Sequence, residues 1–127
     1  MKIIILGAGT VGSTLAVLLS QEDNDITVVD KDESVLRHLE EEADISTLTG
    51  RCSYPNNLVN SGIKEADMVV AVTGSDEVNI VSCLISKVLS SKVKTIARIR
   101  ESAYLKDKTK KAMEEGVIPV DVVVSPE

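Results

Sequence analysis

Apolar and polar residues form successive blocks along the chain, and the spacing of the apolar residues differs from one block to the next. Six short apolar runs predict β-strands over residues 2–6, 26–30, 45–49, 68–73, 95–99 and 122–125. Near-continuous runs of Val, Ile and Leu are typical of strands covered on both faces, as in a parallel sheet.

Between the strands, apolar residues recur three and four positions apart, which is the spacing of one helix face. This pattern predicts helices over residues 10–21, 55–61, 76–89 and 106–115, and one more that begins after Asp32 as its N-cap. The residues expected to be buried are Val11, Leu15, Leu18 and Leu19 in the first helix, Val35, Leu36 and Leu39 in the second, and Val81, Leu84, Ile85, Val88 and Leu89 in the fourth. Alternating strands and helices with right-handed crossovers predict one α/β domain over residues 1–127, a doubly wound parallel sheet of order 3-2-1-4-5-6.

A G-x-G-x-x-G pattern at Gly7, Gly9 and Gly12 directly follows the first predicted strand. Gly7 allows a tight turn, Gly9 leaves the backbone open to a pyrophosphate, and Gly12 allows close packing of helix on sheet. The helix that begins near Thr10 directs free N–H groups at the phosphates. The second strand ends in Asp30, which is placed to accept from ribose hydroxyls. These features predict a Rossmann-type nucleotide site. A glycine turn used for packing alone is the alternative, and it leaves Gly9 and Asp30 unexplained.

In such a sheet, ligands bind beyond the carboxyl ends of the strands, at the point where the strand order reverses. Four segments are expected to meet there: residues 7–12, 30–31, 50–53 and 73–76. A carboxylate at Asp30 favours a free ribose 2′-hydroxyl, and therefore NAD(H) over NADP(H), while Lys31 beside it tolerates some added phosphate charge. The alternative role for Asp30 is to cap the helix that follows it.

The remaining candidate residues lie in the later loops and on the fifth strand. Arg51 and Cys52 lie where the edge of an adenine is expected, and Arg51 would stack on the base or pair with a phosphate, unless it is a solvated surface residue. Thr73 and Gly74 are small enough for a ligand to lie against the end of the fourth strand, although capping of the next helix also explains this loop. Arg98 is expected to reach the phosphates, or an acid across a subunit interface.

The composition narrows the class of protein. The chain has 127 residues, 43% of them apolar, and its two aromatic residues are tyrosines, so the core must be built from Val, Ile, Leu and Ala. No apolar run reaches the roughly 20 residues that a membrane span requires. A net charge of −6 disfavours nucleic-acid binding. Cys52 and Cys83 show no metal-ligand spacing, so we expect neither a metal site nor a disulfide, as in a reduced cytoplasmic protein.

Groups for catalysis are missing from the expected crevice. His38 is the one histidine, and it falls on a predicted helix away from the strand ends. The 127 residues leave no room for a substrate domain beside the predicted nucleotide fold. We therefore expect a binding module and not an enzyme. An NAD-dependent oxidoreductase fragment is the first alternative, and an interaction domain that has lost its ligand is the second.

Longer motifs then identify a family. The segments MKIIILGAGTVG, ITVVDKD, EADMVVAVTGSDEVNIVSC, TIARIRESAY and VDVVVSPE run across nearly the whole chain. The chain resembles the N-terminal nucleotide-binding domains of the Trk potassium-uptake regulators, the RCK or KTN domain family. The block AVTGSDEVN, together with ARIRE, is much more specific than the glycine turn.

The resemblance implies a cytoplasmic regulatory subunit that binds NAD(H), or ATP or ADP, and gates a membrane potassium transporter. It also implies a homo-oligomer, either a dimer or a larger ring, that is peripheral to the inner membrane through its transporter, and a chain that is a fragment of a longer protein. The family's ligand contacts fall on Gly7, Ala8, Gly9, Thr10, Val11, Asp30, Thr73, Gly74 and Arg98, with Lys31 and Cys52 as neighbours. One departure is Gly50-Arg51, where many members carry Gly-Asp, and it leaves the contact to the adenine end open.

Overall fold

A computed structural model describes residues 1–125 and shows strands and helices alternating along the chain. The strands are β1 (Lys2–Leu6), β2 (Asp25–Asp30), β3 (Ser46–Thr49), β4 (Met68–Ala71), β5 (Lys94–Arg98) and β6 (Val122–Val124). The helices are α1 (Thr10–Ser20), α2 (Glu33–Glu42), α3 (Pro55–Asn60), α4 (Asp76–Leu89) and α5 (Asp107–Glu114), with short 3₁₀ turns at Ile63–Glu65 and Ser102–Leu105. Each predicted element is present, and its ends differ from the prediction by at most two residues.

All six strands are parallel and lie in the order β3-β2-β1-β4-β5-β6. This confirms the predicted Rossmann-type topology. At the reversal point, Leu6 of β1 pairs with Val29 of β2 on one side and with Ala71 of β4 on the other. The carboxyl ends of these three strands therefore meet where a doubly wound sheet opens a crevice.

The core lies in two layers, one on each face of the sheet. Along β1, Ile3 and Ile5 point to the layer covered by α1 and α2, while Ile4 and Leu6 point to the layer covered by α3, α4 and α5. All four of these β1 residues are at most 3% exposed. The core is thus built from aliphatic side chains, and the near-continuous apolar run of β1 follows from burial of both its faces.

The predicted buried face of α4 is wrong in part. Val81, Leu84 and Val88 were expected in the core, yet they are 42%, 44% and 72% exposed. The residues of α4 that are completely buried are Asn79, Ser82, Cys83 and Ser86. Ile85 and Leu89, also predicted to be buried, pack against the core as partly buried residues. Small side chains at the closest contact let the helix lie near the sheet.

Small side chains also form the contact between α1 and the sheet. Leu18, expected in the core, is 54% exposed, while Gly12 and Ala16 are the buried residues of this helix. Val11, Leu15 and Leu19 pack at the edge of the core as predicted. The close approach of α1 to the sheet requires the smallest side chains at the point of contact, and a count of apolar residues overlooks them.

An ion pair connects α4 to the β6 edge of the sheet. Lys87 Nζ lies 2.8 Å from Asp121 Oδ2, and the same carboxylate accepts from the amide of Thr95 at 2.9 Å. Partial burial raises the pKa of Asp121, but the hydrogen bonds from Lys87 and Thr95 outweigh this effect and leave the pKa below its ordinary value. The charged form of Asp121 is therefore the form that the folded chain stabilises.

Candidate functional site

A cavity of about 610 Å³ opens at the carboxyl ends of the strands, where the order reverses. The predicted residues that line it are Gly7, Gly9, Thr10, Val11, Asp30, Lys31, Arg51, Cys52, Thr73, Gly74 and Arg98. Ala8 and Gly12 lie behind the lining and do not face the cavity. The four predicted segments thus converge on one crevice large enough for a nucleotide.

Four lining residues were missed by the sequence interpretation: Val72, Val78, Tyr54 and Arg100. Arg100 lies two residues after Arg98, and this alternation was the signal that could have placed it at the crevice. Tyr54 carries a weaker signal, since it follows the predicted Arg51-Cys52 pair. The Arg51 guanidinium lies 5.8 Å from the centre of the Tyr54 ring, so the two side chains form one wall together.

The glycine turn packs directly against the end of β4. Gly7 has φ +107°, and a Cβ built there would lie 3.0 Å from the Thr73 amide nitrogen. A Cβ at Gly12 would overlap the carbonyl oxygen of Gly7. Gly9 differs, because a Cβ there would meet no atom of the described residues within 4 Å and would project into open space at the crevice. Two of these glycines are thus needed for packing, and the third leaves room for a ligand.

Helix α1 begins at the crevice with its amides free. Its N-cap is Gly9, no side chain of residues 1–125 caps it, and its first turn contains no acid. By contrast, Ser75 caps α4 through a 3.2 Å bond from the Val78 amide, and acids occupy the first turn of that helix. Free N–H groups and the positive end of the helix dipole favour an anion at the start of α1. Capping accounts for the start of α4.

Asp30 connects β2 to the glycine turn. Its Oδ2 accepts from the Ala8 amide at 2.7 Å, and its Oδ1 accepts from the Asp32 amide at 2.8 Å. The cap of α2 is Asp32, whose Oδ1 accepts from the Ser34 amide at 3.0 Å, as predicted. This hydrogen bonding keeps the pKa of Asp32 below its ordinary value, chiefly through the Ser34 hydroxyl. Asp30 is therefore not a helix cap, and it borders the crevice as a carboxylate with one backbone donor on each oxygen.

The two cysteines are free thiols buried in the core. Cys52 lies at the floor of the crevice, and its Sγ donates to the Val29 carbonyl at 3.4 Å. Burial, together with the charge of Asp30, raises the pKa of Cys52 to about 12, and burial likewise raises that of Cys83 to about 12. Both thiols are neutral near pH 7, so neither is an activated nucleophile.

The charge of the crevice is opposite to that of the whole chain. Lys31, Arg51, Arg98 and Arg100 line it, against the single carboxylate of Asp30. The Nε of Arg98 is buried and has no hydrogen-bond partner among residues 1–125. Four cations in a chain of net charge −6 favour an anionic ligand at this position.

Other classes of site find no support in the described residues. No group of three or more His, Cys, Asp or Glu side chains within residues 1–125 is placed to hold a metal ion. His38 lies on α2, its side chain is 75% exposed, and its Nε2 is 3.1 Å from Glu42. None of the helices in this part of the chain is long and apolar enough to cross a bilayer.

The match to a family model decides the relationship. The TrkA-N domain model covers residues 3–126. This chain belongs to the TrkA-N domain family. The family predicted from the sequence motifs is thereby confirmed.

Relatives of this TrkA-N domain have names that agree with one another. The chain is 50% identical over 127 residues to the Trk system potassium uptake protein TrkA of Halomonas elongata, and covers 27% of that protein. It is 49% identical to the protein of the same name from Haemophilus influenzae, and covers 28% of it. The chain therefore spans little more than a quarter of the length of these relatives.

Solved structures share the fold of this TrkA-N domain. The TrkA-N domain of the inner membrane protein ybaL from Escherichia coli matches with a TM-score of 0.83 and 15% identity, over 98% of this chain and 86% of that one. The GsuK channel bound to NAD matches with a TM-score of 0.78 and 22% identity, over 97% of this chain and 21% of that one. The AMP-bound Kef C-terminal domain of Shewanella denitrificans matches with a TM-score of 0.80 and 17% identity, over 99% and 72%.

Proposed function

We propose that this TrkA-N domain binds an adenine nucleotide with a diphosphate group in the crevice, with NAD(H) as the first candidate and ATP or ADP as alternatives. The observation that carries this proposal is the uncapped start of α1, which opens on a cavity lined by four cations. An anion would satisfy both features, and the cavity volume of about 610 Å³ suits a nucleotide.

The residues present fit such a ligand. The diphosphate would lie against Gly9 and the amides of Thr10 and Val11, where a side chain on Gly9 would occupy the space. The buried Nε of Arg98 would then gain an acceptor. Asp30 would take the ribose, since each of its oxygens accepts one backbone N–H and keeps capacity for a hydroxyl.

The choice among nucleotides rests on two kinds of support. The carboxylate of Asp30 opposes a 2′-phosphate and so favours NAD(H) over NADP(H), while Lys31 reduces this opposition. Solved structures of the same fold are described as bound to NAD, to ADP and to AMP. All of these ligands share an adenosine phosphate, which is the part that the crevice would recognise in each of them.

We also infer that the domain belongs to a regulatory subunit of a Trk-type membrane potassium transporter, located in the cytoplasm and held at the inner membrane through that transporter. The support is the shared name of relatives at 50% and 49% identity. Assembly as a homo-oligomer, a dimer or a larger ring, is part of the same proposal. A nucleotide would gate the transporter only by binding two arrangements of the subunits with different affinity.

The proposed role is binding and not catalysis. The thiol at the crevice is neutral, and the histidine lies on α2 outside the cavity lining. Incubation of the domain with NADH and common carbonyl substrates should leave the NADH absorbance unchanged. A steady loss of absorbance would favour the oxidoreductase alternative.

Calorimetry of the purified chain with NADH, NAD, ADP, ATP and NADPH tests the binding proposal. We expect binding of the first four, and weaker binding of NADPH. Arg98→Ala should weaken ADP binding by about tenfold or more, because a charge-assisted contact to the phosphate is lost. Arg37→Ala is the matched control, since Arg37 lies on α2 and bonds to Thr47 instead of facing the crevice. No binding of any nucleotide to the wild-type chain would overturn the proposal.

A further inference from the structure

Asn79 is a buried amide directly behind the crevice. It lies in the first turns of α4, is 0% exposed, and does not line the cavity. Its Oδ1 accepts from the Thr73 amide at 2.9 Å and from the Thr73 hydroxyl at 2.6 Å. Its Nδ2 donates to the Thr73 carbonyl at 3.2 Å and to the Arg98 carbonyl at 2.8 Å. Both donors and both acceptor positions of the amide are therefore in use.

These contacts join two walls of the crevice through one side chain. Thr73 follows β4, Arg98 ends β5, and both face the cavity from which Asn79 itself is excluded. The bond to the Arg98 carbonyl fixes the main chain that carries the guanidinium. That guanidinium has the buried Nε without a partner among the described residues.

Neighbouring residues show that burial on this helix face does not by itself require such bonds. Ser82 and Ser86 lie on the same inner face of α4 and are equally buried, yet their hydroxyls have no hydrogen-bond partner in the described part of the chain. Small side chains suffice there for packing against the sheet. Asn79 differs because all of its polar atoms are directed at backbone and hydroxyl groups of crevice residues.

We propose that Asn79 is a positioning residue for the phosphate end of the ligand. It does not touch the ligand, and it acts by holding Thr73 and Arg98 in the arrangement that receives the phosphates. This inference rests on the proposed nucleotide binding and deepens it, because it assigns the recognition of phosphate and of adenosine to separate parts of the crevice. The adenosine end, near Asp30 and Arg51, has no contact with Asn79.

The test compares two probes on two variants. Asn79→Ala should weaken ADP binding by about tenfold or more, because a buried amide and a carbonyl lose their partners. Binding of adenosine, followed by NMR titration, should stay within about twofold of wild type, because the Asn79 side chain bonds to Thr73 and Arg98 and not to the residues expected at the adenosine end. Ser86→Ala, which removes an unpartnered buried hydroxyl from the same helix face, should change neither.

A double-mutant cycle separates positioning from general weakening of the fold. If Asn79 acts through Arg98, Asn79→Ala in an Arg98→Ala background should cost little further ADP affinity, whereas independent effects would add. Where Asn79→Ala does not fold, Asn79→Ser places there the small hydroxyl side chain that Ser82 and Ser86 already carry on this buried helix face, removes the amide that bonds to the Arg98 carbonyl, and allows the same comparison.

The outcomes are distinct. Equal losses of ADP and adenosine, or additive losses in the cycle, would overturn the positioning role while nucleotide binding stands. A wild-type chain that binds neither probe would overturn nucleotide binding itself, and the positioning role with it.

Discussion

Replacement of Asp30 by alanine should destabilise the chain even with no nucleotide present. Asp30 accepts from the Ala8 amide at 2.7 Å and from the Asp32 amide at 2.8 Å. Ala8 is 3% exposed, so its amide would lose its acceptor in a largely buried position. The bond to Asp32 is exposed, and water can replace that one.

The expected magnitude follows from this difference. A buried donor left without a partner costs about 1–3 kcal/mol, so we expect the free energy of unfolding to fall by about 2 kcal/mol. For a chain of this length, that loss corresponds to a decrease in Tm of about 8 °C. Asp30→Asn keeps one acceptor oxygen and turns an NH₂ group towards the other amide, so it should lose an intermediate amount.

Urea unfolding followed by circular dichroism, without nucleotide, measures this effect. Asp25→Ala is the matched control, because Asp25 begins the strand that Asp30 ends. Its side chain is 66% exposed, 3.5 Å from Lys2 Nζ, and exposed pairs of this kind contribute about 0–1 kcal/mol. If the Asp30 and Asp25 variants unfold at the same urea concentration, Asp30 does not anchor the glycine turn, and its role is confined to the ligand.

Further expectations concern other parts of the chain. Gly12→Ala should prevent stable folding in thermal scans because its methyl overlaps the Gly7 carbonyl, whereas Gly9→Ala should fold normally and lose ADP affinity in calorimetry. The pKa of Asp121 is lower in the folded chain than its value of about 4 in the unfolded chain. Its charged form therefore adds stability above about pH 4, and this stability is lost as pH falls through the folded pKa. In the Asp121→Asn variant, the free energy of unfolding should depend less on pH below about pH 4. Both thiols, with pKa about 12, should react with iodoacetamide at pH 8 much more slowly in the folded chain than in urea.

The fold could be predicted from the sequence because the features that determine it are local. Each strand is a short aliphatic run, the turn after β1 is specified by glycines, and chirality leaves few ways to connect alternating strands and helices. The strand order and the meeting of four loops at one crevice follow from these features. The prediction needed no knowledge of individual side-chain contacts.

The residues on the inner face of α4 and the hydrogen-bond partners of Asp30 could not be predicted from local sequence features. Hydrophobic periodicity places Val81 and Leu84 inside, but the distance of the helix from the sheet selects Ser82 and Ser86 for that face. The bond from the Ala8 amide to Asp30 joins residues 22 positions apart, and it depends on how the turn closes. Both features are tertiary, and a periodic pattern carries no information about them.

The polar groups of the crevice fall into two sets with different physical consequences. Asp30 and Asn79 are bonded to the chain itself, so their replacement changes the free energy of unfolding before any ligand is added. The first amides of α1 and the Nε of Arg98 have no partners in residues 1–125, so their contribution to binding is realised only when an anion arrives. The first set therefore preorganises the crevice, and the second set contributes only once a ligand is bound. Substitutions in the first set should change both stability and affinity, whereas substitutions in the second set should change affinity alone.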